Sequence, residues 1–184
     1  KCNIALGINA LGQATSGCTN IALGRQPMGG AVTTGSNNIA LGNAPMDALT
    51  CGTENIALGT NALGALTEGD INIAIGQGAL AAAATGGSVD FNIALGYNAM
   101  GIGVVTGGSN VAIGRSALDA LEAGGNNVAI GKNSMGALTS GGTNVAVGIC
   151  SMGAGVTTGA DNVAIGNKAL CLVAGGATNV AIGL

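Results

Sequence analysis

The stretch that decides the fold runs from residue 110 to residue 127 and reads NVAIGRSALDALEAGGNN. It opens on Asn-Val-Ala-Ile-Gly, passes through Ala117-Leu118, and closes on glycine before the next asparagine. Large apolar residues alternate with alanine in the opening segment, which is the period of a β-strand. The glycines allow the positive φ angles of tight corners, whereas each glycine inside a helix would cost roughly 1 kcal/mol. The stretch therefore predicts one turn of a β-structure.

The same pattern is repeated along the whole chain. The motif Asn-[Ile/Val]-Ala-[Leu/Ile/Val]-Gly occurs eleven times. Successive asparagines are 17 or 18 residues apart, with one interval of 20 residues. Extra residues fall after the motif, as between Met28 and Gly35, where a stacked coil accommodates them in turns. A small residue followed by Leu or Met comes at a fixed distance after each of the first ten motifs, so we expect two short strands per repeat.

Repeats this short cannot bury their own apolar faces, and we therefore expect them to stack on one another. We predict an all-β parallel β-solenoid of about ten coils of 17–18 residues, with residues 1–184 forming a single repeat domain. At about 4.8 Å per coil, the rod is on the order of 50 Å long. The motif asparagines are expected to form a hydrogen-bonded ladder along one edge. Because the chain begins and ends within a repeat, we interpret it as a fragment of a longer fibrous protein.

The central residue of the motif is alanine in all eleven copies. Strand alternation would point it away from a core formed by the flanking Ile, Leu and Val together with the later Leu or Met. An exposed face would be expected to carry Ser, Thr, Lys or Glu in some copies, so the restriction to alanine predicts close approach of another chain. A cyclic trimer is the simplest closed arrangement for a fibre. The predicted subunit-contact residues are Ala5, Ala22, Ala40, Ala57, Ala74, Ala94, Ala112, Ala129, Ala146, Ala164 and Ala181.

The composition argues against catalysis and against binding to nucleic acid. Charged residues make up 7% of the chain, aromatic residues 1%, and there is no histidine to act as a general base. The net charge is −3, and the basic residues are scattered along the sequence, which gives no nucleic-acid footprint. We expect no enzyme activity and no catalytic, cofactor or metal site. The basic residues are Lys1, Arg25, Arg115, Lys132 and Lys168.

Apolar runs, acidic pairs and cysteines complete these expectations. Asn and Gly interrupt every apolar run well before the roughly 18 residues that a membrane span needs, so no membrane insertion is expected. Two acidic pairs in turns are interpreted as solvated charges, with a calcium ion as the alternative. Five irregularly spaced cysteines predict neither a disulfide framework nor a zinc site. Cys2 and Cys18 are expected to lie within disulfide range of each other. Cys150 and Cys171 occupy different positions in their repeats and are not expected to form a disulfide. The acidic pairs are Glu68 with Asp70 and Asp119 with Glu122.

The repeat resembles those of two kinds of trimeric fibre. Asn110-Val111-Ala112-Ile113-Gly114 and Asn162-Val163-Ala164-Ile165-Gly166 resemble the Asn-Ser-Val-Ala-Ile-Gly signature of trimeric autotransporter adhesin heads, without its serine. Residues 57–63, ALGTNAL, and Thr157-Thr158-Gly159 resemble the related repeats of bacteriophage tail fibres. The resemblance covers the whole chain, and it implies a left-handed parallel β-roll that is three chains wide.

These observations favour a structural segment of a homotrimeric attachment fibre, a phage tail fibre or a bacterial surface adhesin, involved in host or surface adhesion. Its expected location is the virion fibre or the extracellular cell surface. The expected partner is the chain itself, with a cell-surface receptor or glycan that the repeats do not specify. Free cysteines favour the tail fibre, which assembles in a reducing cytoplasm. The alternatives are a passive extracellular filament and an ice- or crystal-surface binder, the latter suggested by Thr15, Thr50, Thr67, Thr139, Thr33-Thr34 and Thr157-Thr158.

Overall fold

The computed structural model describes residues 2–83, 89–154, 158–172 and 175–184. Within them, the motifs form eleven short strands joined in sequence order into one sheet. All neighbouring strands are parallel and in register, so that Ala22 pairs with Ala40 and Arg25 with Asn43. The predicted all-β parallel solenoid of about ten coils is confirmed. The strands are β1 (Ile4–Leu6), β2 (Ile21–Arg25), β3 (Ile39–Asn43), β4 (Ile56–Leu58), β5 (Ile73–Ile75), β6 (Ile93–Leu95), β7 (Val111–Ile113), β8 (Val128–Ile130), β9 (Val145–Val147), β10 (Val163–Ile165) and β11 (Val180–Ile182).

The second half of each described coil is built from turns, so the expectation of a second strand is wrong. In the coil that starts at Asn55, three non-glycine residues adopt positive φ angles: Asn61 (55°), Leu63 (53°) and Ile71 (59°). These left-handed residues bend the chain more tightly than a regular strand allows. The turns are still paired from coil to coil, since the Leu63 amide donates to the Ala79 carbonyl at 3.0 Å.

The motif alanine lines the interior of the coil, so its predicted outward orientation is wrong. The flanking Ile, Val and Leu residues point outward instead. The later Leu or Met, as at Met28 and Leu63, is buried as predicted. It fills the opposite wall of a thin coil and leaves room only for an alanine-sized side chain. The alanines with no exposed surface are Ala22, Ala40, Ala57, Ala74, Ala94, Ala112, Ala129, Ala146 and Ala164; in the first and last strands, Ala5 is exposed and Ala181 is half-buried.

The expected asparagine ladder is present and is buried from Asn20 to Asn162. In a typical coil, Asn55 Nδ2 donates to Asn38 Oδ1 at 3.2 Å and to the Gly69 carbonyl at 2.7 Å. Its Oδ1 accepts the backbone N–H and Nδ2 of Asn72 at 2.9 and 3.1 Å. Two donors and two acceptor positions are the whole capacity of an asparagine amide, so the buried group is fully satisfied.

Candidate interaction surfaces

The outward side chains of the strands form a continuous apolar surface, which we call the strand face. It consists of the first and third residue of each strand, such as Ile73 and Ile75 in β5. In-register pairing places Ile73 over Ile56 and Ile75 over Leu58, so the residues form two columns along the rod. They are half-buried by their neighbours within the column, yet Ile75 and Ile165 each remain 40% exposed. An apolar surface of this extent is typical of a contact with another molecule.

The predicted subunit-contact alanines lie beneath the strand face, one position away from its residues. Their eleven-fold restriction to alanine reflects the narrow interior of the coil, which has the same steric effect as a neighbouring chain. The sequence signal that identifies the true surface is the second half of the repeat. It already supplies a large core residue, so the coil has no room for two more from the strand.

A second, mostly polar surface borders the strand face. It consists of the residue that follows each motif glycine, and we call it the edge column. Strand β2 extends to this position at Arg25, and Arg25 pairs with Asn43 of β3. Farther along, the backbone N–H of Asn133 donates to the backbone carbonyl of Arg115 at 2.9 Å, which holds neighbouring coils together at this edge. The edge column comprises Ile8, Arg25, Asn43, Thr60, Gln77, Tyr97, Arg115, Lys132, Ile149, Asn167 and Leu184.

Stacking places basic residues that are scattered along the sequence on one border of the coil. Arg25, Arg115 and Lys132 belong to the edge column, and Lys168 occupies the position immediately after it. All four side chains are exposed. The guanidinium of Arg115 lies over the ring of Tyr97, 5.9 Å from the ring centre, which is a cation–π geometry. Linear sequence reasoning missed this group because it counted charges along the chain and not around the coil.

Acidic side chains occupy other columns, where some of them stabilise the turns. Asp70 Oδ1 accepts the backbone N–H and the hydroxyl of Thr53 at 2.7 and 2.9 Å, and Asp90 Oδ1 accepts the Asp70 N–H at 2.8 Å. Burial raises the pKa of the Asp119 carboxyl, against a smaller lowering from its hydrogen bond with Ser116. In the part of the chain that the structure describes, no three His, Cys, Asp or Glu side chains come together as a group able to hold a metal ion.

Some of the threonines near the closing glycine, among them Thr33, donate their hydroxyls to the backbone of the next coil. Thr34 Oγ1 donates to the Thr50 carbonyl at 3.0 Å, and Thr50 Oγ1 to the Thr67 carbonyl at 2.8 Å. Thr33 is fully buried, so the Thr33-Thr34 pair does not form a flat double array at the surface. Thr157, from the second predicted pair, lies outside the described residues.

The five cysteines are free thiols, and Cys2 and Cys18 are exposed. The sulfur of Cys18 lies 3.5 Å from the Ser36 hydroxyl of the next coil. The Cys2–Cys18 disulfide considered from the sequence is therefore not formed in this structure. Cys150 and Cys171 are free as well.

Among the described residues, no helix has the length and apolar character needed to cross a membrane. Comparisons with protein-family models, with curated proteins and with solved structures found no match for the chain.

Proposed function

We propose that the chain is a structural, non-catalytic segment of a homotrimeric attachment fibre, a phage tail fibre or a bacterial surface adhesin. In the proposed assembly, three parallel rods pack through their strand faces, while the edge columns stay in contact with solvent. The fibre would act outside the cell that it attaches to, on a virion or a cell surface. The resemblance of the repeat to adhesin-head and tail-fibre repeats supports this proposal.

The exposed strand face is the observation that carries the proposal. In strands β2 to β10 only the alanine is fully buried, and the flanking Ile, Val or Leu residues remain at the surface. Association of copies would remove these columns from water, at roughly 25 cal/mol for each Å² of apolar surface. A cyclic arrangement closes the interface, whereas an open one would leave the strand face of the outermost chain exposed.

Three neighbouring positions of one coil test the proposal by analytical ultracentrifugation. Wild-type protein is expected to sediment with three times the 17.2 kDa mass of the chain. Ile75→Glu places a charge on the strand face and should give a folded monomer, because an unpaired charge in a dry contact is costly. Gln77→Glu adds the same charge on the exposed edge column and should leave the trimer intact.

The third position separates loss of assembly from loss of fold. Ala74→Glu forces a charge into the coil interior and should abolish the β-sheet signal in circular dichroism, because Ala74 has no exposed surface. A wild-type monomer would contradict the proposal, and so would an Ile75→Glu chain that assembles like the wild type.

The arrangement of the threonines does not favour the ice-binding alternative. Ice binding by a solenoid would require hydroxyls in a regular array at the surface, whereas Thr34, Thr50 and Thr106 direct theirs to backbone carbonyls. A thermal-hysteresis measurement on the purified chain separates this alternative from the fibre proposal. A passive extracellular filament shares the trimeric rod and differs only in having no ligand.

A further inference from the structure

The edge column changes character along the rod. From the sixth coil onward it presents Tyr97, Arg115 and Lys132 on three successive coils, each of them exposed. Lys168 follows two coils later in the adjacent position. We call these four residues the basic row. With coils about 4.8 Å apart, the row extends over roughly 20 Å parallel to the rod axis.

The backbone holds the basic row at a fixed spacing. The amides of Ser116, Asn133 and Cys150 donate at 2.9 Å to the carbonyls of Tyr97, Arg115 and Lys132, respectively. The Tyr97 ring lies against the Arg115 guanidinium at 5.9 Å and restricts its position. A side chain that is already ordered loses less entropy on binding. The row therefore combines one positioned guanidinium, that of Arg115, with exposed lysines whose backbone positions are fixed by the stacking.

Charge is distributed unevenly around the coil. The basic row and Arg25 lie along one border of the sheet, whereas all eight acidic residues occupy other columns of the repeat. The acidic residue closest in sequence to the row, Asp119, is hydrogen-bonded to Ser116. A negatively charged protein thus presents a local positive surface, which attracts anions to that border.

We propose that the basic row binds a carboxylated polysaccharide, a chain of uronate sugars lying parallel to the rod. The Arg115 guanidinium matches a carboxylate with two parallel hydrogen bonds, and Lys132 supplies a point charge one coil away. Tyr97 offers a ring edge for packing against a sugar, and the half-exposed amides of Asn98 and Asn133 stand beside the row for the sugar hydroxyls. A sugar unit is similar in length to the distance between coils, so two neighbouring carboxylates can meet Arg115 and Lys132, which lie on neighbouring coils.

Nucleic acid fits the row less well. Duplex DNA carries one charge per about 1.7 Å of axis. Over the length of the basic row this is many more charges than three cations can neutralise. Single strands need several aromatic side chains for base stacking, and the row contains only Tyr97. A chain with one carboxylate per sugar has the lower charge density that the row matches.

Binding of oligogalacturonate to the wild-type chain, measured by isothermal titration calorimetry, tests the inference. Arg115→Gln is expected to weaken binding about tenfold or more, as expected for loss of a charge-assisted pair, and Lys132→Gln should act in the same direction. Arg25→Gln is the matched control: it removes the same charge from the same column about five coils, or roughly 24 Å, away, and should bind like the wild type. Raised salt should weaken wild-type binding, because the exposed charges are screened.

Several results would overturn the inference. These are equal binding by the Arg115 and Arg25 variants, equal binding of neutral dextran, or tighter binding of single-stranded DNA than of oligogalacturonate. The inference deepens the proposed adhesive role and rests on it. Sedimentation of the same samples distinguishes the two proposals. A monomer that binds oligogalacturonate would contradict the trimer and support the binding site. A trimer that does not bind oligogalacturonate would support the trimer and contradict the binding site.

Discussion

At the scale of single residues, the asparagine ladder links the sheet to the corner of each coil. A typical buried amide, such as that of Asn55, bridges the asparagine before it, the asparagine after it and the closing glycine; at Asn72 the carbonyl of Val89 takes the place of the glycine. Aspartate has the same shape but no donor, and leucine has neither donor nor acceptor. Only an amide satisfies all of these groups at once, which explains why no other residue type occupies this position in the chain.

Removing one member of the ladder should destabilise the whole rod. Asn55→Ala leaves the N–H and Nδ2 of Asn72 without their acceptor, and each unsatisfied buried group costs about 1–3 kcal/mol. We expect the free energy of unfolding, from urea denaturation, to fall by about 3 kcal/mol. Asn43→Ala changes an exposed asparagine of the edge column and should change it by less than about 0.5 kcal/mol. Equal losses in the two variants would contradict the role assigned to the ladder.

Asp119 gives the stability a predictable dependence on pH. Burial raises the pKa of its carboxyl, so the unfolded chain releases this proton at lower pH than the folded chain. Below the unfolded pKa the carboxyl is neutral in both states and contributes no difference. As the pH rises through the raised folded pKa, ionisation in a half-buried site destabilises the fold, and this loss is complete above that folded pKa.

Asp119→Asn keeps a hydrogen-bond acceptor for Ser116 and removes the charge. It should raise Tm relative to the wild type near pH 7 and should have no such effect near pH 3, where both states of the wild type are protonated. Thermal unfolding followed by circular dichroism at the two pH values measures this. Glu54→Gln, at an exposed site, controls for the change in net charge. A gain for Asp119→Asn that is the same at both pH values would exclude titration of this carboxyl as its cause.

At the scale of elements, left-handed residues determine the path of the second half-coil. The buried Leu or Met of this half has a φ near 50° in every described repeat, as in Leu63 (53°) and Met135 (49°). This conformation costs a residue other than glycine roughly 1–2 kcal/mol. Burial of these long side chains, which is complete except at Leu11 and Leu170, offsets the cost. Packing therefore overrides local preference here, and the strand alternation expected for this half does not form.

The position two residues before the buried Leu or Met tests the turn without disturbing the core. Asn61 is exposed and has a φ of 55°. Asn61→Val should destabilise the fold by about 1–2 kcal/mol, because a β-branched residue is strained in the left-handed region. Asn61→Gly accepts this conformation and should remain within about 0.5 kcal/mol of the wild type in urea denaturation. A valine variant as stable as the glycine variant would mean that the turn is not required.

The sequence predicted those features that depend on period. These are the parallel stacking, the number of coils, the ladder and the burial of the later Leu or Met. It did not predict which face of the strand is inside, because alternation assigns Ala22 and Ile21 to opposite faces without indicating which face is the core. That choice depends on the volume left by the opposite wall, where Met28 lies. The basic row depends on stacking, and it becomes visible only when Arg115 and Lys132 are placed on neighbouring coils.

At the scale of the whole molecule, each strand pairs only with the strands before and after it. Stability in such a one-dimensional array is a sum of coil and interface terms. Deleting residues 110–126 removes one whole repeat of 17 residues and brings Asn127 onto Asn92 with every column in register. This variant should fold, with a β-sheet circular dichroism spectrum and a slightly lower urea midpoint.

Deleting only residues 110–118 removes a strand and its first turn, and it leaves a half-coil with no partner for its hydrogen bonds. This chain should lose cooperative unfolding or show a much lower midpoint than the whole-repeat deletion. Equal stability of the two deletions would argue against the one-dimensional description of the rod.

Because the coils stack in register, the number of repeats in the gene sets the length of the rod. Recombination between two copies of the repeat adds or removes one coil, about 4.8 Å of reach, without creating a new kind of contact at the junction. Length can therefore drift in small, equal steps while each surface keeps its chemistry. Loss of a single nucleotide has the opposite effect, since every later column then carries unrelated residues. A longer rod can thus arise by copying a repeat that the gene already encodes.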